Sequence, residues 1–170
     1  SLAAAGFDGV MNCPTVTLID GKFRSDLEET GMGFYLEVEV LGYASRKGLF
    51  TKAFCTTPDE ALAMAEAGVD NIIVHYGNSS GGSTGSTTVL SADESAQRAG
   101  AVLDAMVPRY PDLIYTCHGG SIENASHFEA LLDREPRFDG YVGGSSAERL
   151  PIEDSVTASA KAFKSVKLEK

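Results

Sequence analysis

Asn71-Ile72-Ile73-Val74-His75 is the stretch on which the fold turns. It reads as a continuous apolar run, the pattern of a strand covered on both faces rather than one. A loop rich in glycine and serine follows over 77–88. Ser91-Ala92-Asp93-Glu94 then has the form of a capping box at a helix start, and the helix carries Ala99, Val102, Leu103 and Met106 on one stripe. Strand, loop and amphipathic helix in that order make one β–α unit. A series of such units builds a parallel sheet.

The same order recurs on both sides. Upstream, Gly9-Val10-Met11-Asn12 forms one β-run, and a helix over about 34–47 places Leu36, Val40, Tyr43 and Ala44 on one face before a stop at Gly48. Thr51-Lys52-Ala53-Phe54-Cys55 forms the next. Thr57-Pro58-Asp59-Glu60 then combines a capping box with proline at the first helical position, and an alanine-rich helix runs to Gly68. Downstream come Leu113-Ile114-Tyr115-Thr116-Cys117 and a short helix with Phe128, Leu131 and Leu132. Gly140-Tyr141-Val142-Gly143 precedes a last helix, from near Pro151, that is expected to bury Ile152, Val156, Ala160 and Phe163. About five β–α units in series give an α/β fold in a single domain over 1–170. A (β/α)8 TIM-barrel type is expected, present in part, with a five-stranded doubly wound sheet as the rival.

Bulk properties bound the function. Apolar residues make up 43% and charged residues 22% of the 170, ordinary values for a globular domain. No apolar run approaches the roughly 20 residues that span a bilayer, and the start lacks the pattern of a signal peptide. Three cysteines, Cys13, Cys55 and Cys117, are an odd number at wide spacing, which predicts free thiols and a cytoplasmic protein. A net charge of −10 argues against nucleic acid and anionic membrane as partners. It leaves a small anionic substrate open, because local backbone dipoles bind anions against the net field. The chain starts with Ser, as a processed protein or a piece of a longer one does.

The unusual residues cluster after β-runs and before helices. In a parallel α/β sheet all such loops emerge on one face. His75 and His118 stand at strand ends, where a histidine serves as acid, base or metal ligand, or as a structural hydrogen-bonding group. Gly119, Gly120 and Ser121, with Gly144, Ser145 and Ser146, form two glycine- and hydroxyl-rich loops after the last two β-runs. Barrels often bind a substrate phosphate there, although such glycines also make tight turns. The loop holding Gly77, Gly81, Gly82 and Ser83 has the length and lack of bulk of a lid or ligand-facing loop, or of a disordered surface loop. It is not a Walker A loop, since no Gly-Lys-Ser/Thr follows. The long segment after the first β-run offers Asn12 and Glu29, which would orient a substrate or a metal, with Glu29 the preferred carboxylate for catalysis. Neither a His-x-x-x-His nor a Cys-x-x-Cys pattern is present, so zinc is disfavoured. Magnesium held by carboxylates and substrate oxygens leaves almost no spacing signature and stays open as the cofactor.

Taken together, Gly6-Phe7-Asp8-Gly9-Val10-Met11-Asn12-Cys13-Pro14-Thr15-Val16-Thr17-Leu18-Ile19-Asp20-Gly21, Leu27-Glu28-Glu29-Thr30-Gly31-Met32-Gly33, His75-Tyr76-Gly77 with Gly81-Gly82-Ser83, His118-Gly119-Gly120 and Gly144-Ser145-Ser146-Ala147-Glu148-Arg149-Leu150-Pro151 resemble the phosphoenolpyruvate hydrolase-like TIM-barrel family. Such barrels are found fused to Tm-1-like domains. The resemblance covers nearly the whole chain. It departs from the family pattern mildly, with Ser121 where proline often stands and Gly144 where alanine does. It implies a (β/α)8 barrel of which this chain holds strands four to eight, and action on phosphoenolpyruvate or a similar small acid by hydrolase or lyase chemistry. A non-catalytic, small-molecule-sensing barrel is the alternative. A partial barrel leaves strand edges open, so a homo-oligomer or a longer chain is expected to cover them.

Overall fold

The computed structural model describes residues 2–167. Its strands are β1 (Gly9–Met11), β2 (Phe50–Cys55), β3 (Asn71–His75), β4 (Ile114–His118) and β5 (Gly140–Tyr141). They form one sheet in the order β1-β2-β3-β4-β5, with each neighbouring pair parallel. A doubly wound sheet reverses its strand order at a switch point. Here the order never reverses, which is the progression of a barrel wall. The fold is therefore α/β, with five consecutive units of a partial (β/α)8 barrel.

The helices are α1 (Gly21–Glu29), α2 (Phe34–Arg46), α3 (Pro58–Glu66), α4 (Ala92–Met106), α5 (Ala125–Leu132), α6 (Ser145–Glu148) and α7 (Leu150–Ser165). At α4 the capping box is complete: the Ser91 hydroxyl accepts from the Glu94 N–H, and the Glu94 carboxylate accepts from the Ser91 N–H. At α3 only half of it forms. Thr57 accepts from the Glu60 N–H, but the Glu60 carboxylate reaches the Thr56 N–H, Arg24 and the Thr17 hydroxyl. Helix α1 lies in a segment that reads as loop. None of its residues is fully buried, and its i,i+4 pairs, Lys22 with Asp26 and Arg24 with Glu28, support it.

Strand period divides the core in two. Ala53, Cys55, Ile72, Val74, Tyr115 and Cys117 pack with Met64, Val102, Leu103 and Met106 in one cluster between sheet and helices. Phe54 and Ile73 are also buried, yet lie outside that cluster, on the opposite face of the sheet. The same alternation puts His75 and His118 on Phe54's face. The ring contacts agree, with centroids 4.7 Å apart for Phe54 and His75 and 5.2 Å for Phe54 and His118.

Two helices turn apolar residues to solvent, and at α7 this departs from expectation. On α2 the buried residues are Phe34, Leu41, Gly42 and Ala44, while Val40 and Tyr43 are 55% and 59% exposed and Leu36 is exposed as well. On α7 only Leu150 is buried; Ile152, Val156, Ala160 and Phe163 all face solvent. Apolar periodicity marks a face, but what covers it is a tertiary matter. Both stripes belong to the ends of the sheet, where a closed barrel would have further units. Beside β1 an apolar hollow of about 680 Å³ opens between Val10, Val40, Tyr43 and Leu49.

Candidate active site

Consider first the frame that holds the β1 loop. Asn12 continues the β1–β2 pairing one residue past the strand. Its Oδ1 accepts from the Phe54 N–H at 2.7 Å, and its Nδ2 donates to the Phe54 carbonyl at 3.1 Å and to Glu37 at 2.7 Å. Glu37 also accepts from the Thr15 hydroxyl and the Val16 N–H, both at 2.7 Å. Both ends of the Asn12 amide are thus engaged in a buried network. This corrects the expectation that Asn12 orients a substrate: it shapes the loop that delivers Cys13, Pro14 and Thr15 to a cavity. Glu29 is exposed at the end of α1 and does not line that cavity.

The cavity lies at the C-terminal ends of the strands, with a volume of about 770 Å³. Small-molecule sites span roughly 300–1,000 Å³. Phe54, His75, His118 and Val142, each at or just beyond the end of its strand, form its floor. His75 and His118 are register partners on β3 and β4, and their rings meet edge to face with centroids 4.9 Å apart.

Their hydrogen bonds assign opposite tautomers. The Gly77 N–H donates to His75 Nδ1 at 2.9 Å, so Nδ1 is the acceptor and Nε2 carries the proton. His118 Nδ1 faces the Val142 carbonyl at 2.6 Å. A carbonyl only accepts, so this Nδ1 carries the proton, and in a neutral ring Nε2 is then the acceptor. His75 is 5% exposed. Burial, then the nearby His118 and Arg98, lowers its pKa from 6.5 to about 4, so it is neutral at pH 7. The pair thus offers one N–H donor and one basic nitrogen.

The glycines divide into two groups. Gly144 and Ser145 line the cavity, and a Cβ on Gly144 would stand 3.4 Å from His118 Cε1. Gly119 and Gly120 do not line it. Gly119 has φ +80, and a Cβ there would lie 2.1 Å from the Gly77 carbonyl oxygen; the Gly120 N–H donates to that same carbonyl at 3.2 Å. They let the β3 and β4 loops touch, and the structure does not bring them, or Ser121, into an anion cradle. The Ser121 carbonyl faces His127 Nδ1 instead, and the Ser146 hydroxyl meets the Tyr141 hydroxyl. Gly77 sets the His75 tautomer. Gly81, Gly82 and Ser83 lie against Arg149 and Glu153 rather than the cavity.

The loop at 77–88 still faces the cavity, through Asn78, Ser79, Thr84 and Ser86. Cys13, Glu148 and Arg149 also line it, and sequence reading did not select them as site residues. Their signal was faint: Glu148 and Arg149 follow the Gly143–Ser146 loop by less than one turn. Cys55 and Cys117 are buried, and burial raises both thiols, Cys117 to about 12. Glu148 is the one carboxylate on the wall, and among the described residues no group of three His, Cys, Asp or Glu is placed to hold a metal.

A family model described as phosphoenolpyruvate hydrolase-like matches residues 1–166. The chain belongs to that family. A curated relative of this phosphoenolpyruvate hydrolase-like chain is ToMV resistance protein Tm-1(GCR237) of Solanum lycopersicum, 47% identical over 168 residues, covering 99% of this chain and 22% of that protein. The protein y4pA of Sinorhizobium fredii is 36% identical over 165 residues, covering 97% of this chain and 27% of that protein. The chain thus spans about a fifth to a quarter of the length of these curated relatives. Among solved structures, 2,3-dimethylmalate lyase, a PEP mutase/isocitrate lyase superfamily member, is similar with a TM-score of 0.56 at 14% identity, over 92% of this chain and 57% of that chain. At that identity the likeness is one of fold.

Proposed function

We propose that the domain carries out acid–base chemistry on a small phosphorylated or carboxylated acid of the phosphoenolpyruvate kind, by hydrolysis or as a lyase. One observation carries the reading: two strand-end histidines of opposite tautomer share the floor of one cavity. His118 Nε2 takes a proton from water or from a carbon acid. His75 Nε2–H donates to the oxygen on which charge develops. A buried neutral imidazole suits that second role, because it donates without adding a charge that must be desolvated. The family supplies the substrate class, and Gly144 with Ser145 supports small polar groups close to His118.

The test is direct. The full-length protein is incubated with phosphoenolpyruvate, with and without magnesium, and phosphate and pyruvate are measured for wild type, His118→Ala and His75→Ala. Release by wild type that falls by about 100-fold or more in His118→Ala is the expected outcome, as for removal of a general base. Equal turnover in all three proteins removes the histidines from the mechanism.

A second reading is a non-catalytic sensor barrel within a larger protein, favoured by the small share of its relatives that the chain spans. Binding without turnover would support it. The exposed stripes on α2 and α7 support a cover, either a second copy or further β–α units of a longer chain. Among the described residues no helix is long and apolar enough to cross a membrane. Two buried free thiols are consistent with a reducing compartment, and a cytoplasmic location belongs to the same reading.

A further inference from the structure

Among the described residues, Arg149 is the one lysine or arginine on the cavity wall. Its Nη1 and Nη2 both donate to the Gly81 carbonyl at 3.1 Å, and Nη1 also donates to Glu153 at 3.2 Å. A guanidinium has five N–H donors in one plane. The bonds to Gly81 and Glu153 engage Nη1 and Nη2, and among the described residues no hydrogen bond involves Nε. A guanidinium fixed at a cavity wall with donors to spare is built for a carboxylate or phosphate.

The same contacts fasten a loop. From β3, the chain at 77–88 crosses the β4 loop, where the Ser80 N–H donates to the Gly120 carbonyl at 2.9 Å and the Ser80 hydroxyl to Glu123 at 2.6 Å. It then reaches the start of α7. There Gly81 meets Arg149, and Glu153 accepts from the Ser83 N–H at 2.7 Å and the Ser83 hydroxyl at 3.0 Å. Ser79, Thr84 and Ser86 line the cavity from this loop. On the β1–β2 side the lining is mostly apolar, with Met11, Pro14, Leu18 and Phe54 beside Cys13 and Thr15.

We propose that Arg149 reads the anionic group of the ligand and, through Gly81, couples filling of the cavity to the order of the loop at 77–88. The ligand is then a short organic acid with its charged head at Arg149 and its apolar body toward Phe54. This rests on the functional reading only in taking the cavity as the substrate site, and it holds whether or not turnover follows.

The experiment uses the full-length protein and calorimetric binding of four probes: phosphoenolpyruvate, pyruvate, inorganic phosphate and the neutral methyl pyruvate. The organic acids are expected to bind and the ester much less. Arg149→Gln should weaken the acids by about 10- to 100-fold, the range for a lost charge-assisted hydrogen bond, and Arg149→Lys should recover part of it. Glu153→Ala, which releases Ser83 but keeps both guanidinium bonds to Gly81, should weaken the acids less than Arg149→Gln does, by about fivefold or less, as for a partly exposed ion pair. Hydrogen exchange at the Ser83 and Ser86 amides should slow on binding in wild type and not in Arg149→Gln. Acid binding that depends on Arg149 without turnover upholds the inference while the catalytic reading fails. Turnover with an unchanged KM in Arg149→Gln overturns the inference and leaves the catalytic reading standing. Equal loss in Glu153→Ala and Arg149→Gln, or no acid binding to wild type, also overturns it.

Discussion

Alanine at Gly119 should damage this protein far more than alanine at Gly77, although both glycines have positive φ and sit in neighbouring loops on the same face. Gly77 has φ +96 and no atom within 4 Å of an added Cβ, so Gly77→Ala meets only the left-handed backbone cost, about 1–2 kcal/mol. Gly119 has φ +80 and meets the same cost. In addition, its Cβ would lie 2.1 Å from the Gly77 carbonyl oxygen, a separation that backbone has to open. Overpacking of that kind costs about 1–3 kcal/mol more, so Gly119→Ala should lose about 2–5 kcal/mol in all. The shift has a local consequence. The Gly77 carbonyl accepts from the Gly120 N–H, and the Gly77 N–H fixes His75 Nδ1. Forcing the loops apart therefore loosens the His75 tautomer. Urea unfolding of wild type and both variants gives the stability difference, and imidazole ¹⁵N NMR reads the tautomer. Equal destabilisation by the two substitutions, with the His75 resonances unchanged in Gly119→Ala, would refute the packing argument.

Two further outcomes follow from the same geometry. Asn12→Ala strands the Phe54 N–H and carbonyl and part of Glu37, so a stability loss of about 2–4 kcal/mol is expected in denaturant melts. Probe affinity per folded molecule should stay near wild type; a selective loss of affinity with normal stability would return Asn12 to the substrate. His75 governs acid sensitivity. Its folded pKa, about 4, is below the ordinary 6.5, so the unfolded chain binds the proton more readily between those values. The stability present above pH 6.5 should fall by about 3 kcal/mol as the pH drops through that window, and His75→Gln should flatten that slope. An identical pH profile in the variant would count against a buried neutral histidine.

Much of the frame was legible from local pattern. The five β-runs, both helix starts at Thr57 and Ser91, and the placement of His75 and His118 at strand ends follow from period, capping chemistry and turn residues, all of which act over a few positions. Helix α1 was not legible, because none of its residues is fully buried and ion pairs support it. The α7 stripe was misjudged for the opposite reason: the pattern was strong, and among the described residues nothing buries Ile152, Val156 or Phe163.

Chemistry at the site needed distances. A glycine pair such as Gly119-Gly120 has one appearance in sequence whether its N–H groups cradle an anion or its missing side chains let two loops touch. Asn12 likewise reads as a residue that orients a substrate or metal until its amide is seen on Phe54. Arg149 acquires a role only because Gly81, far off in the chain, comes to lie against it. Local patterning determined that this protein is a series of β–α units with two histidines at strand tips. Tertiary structure alone decided which nitrogen of each carries the proton and which loop residues face the cavity, because those depend on neighbours that only folding brings within hydrogen-bonding reach.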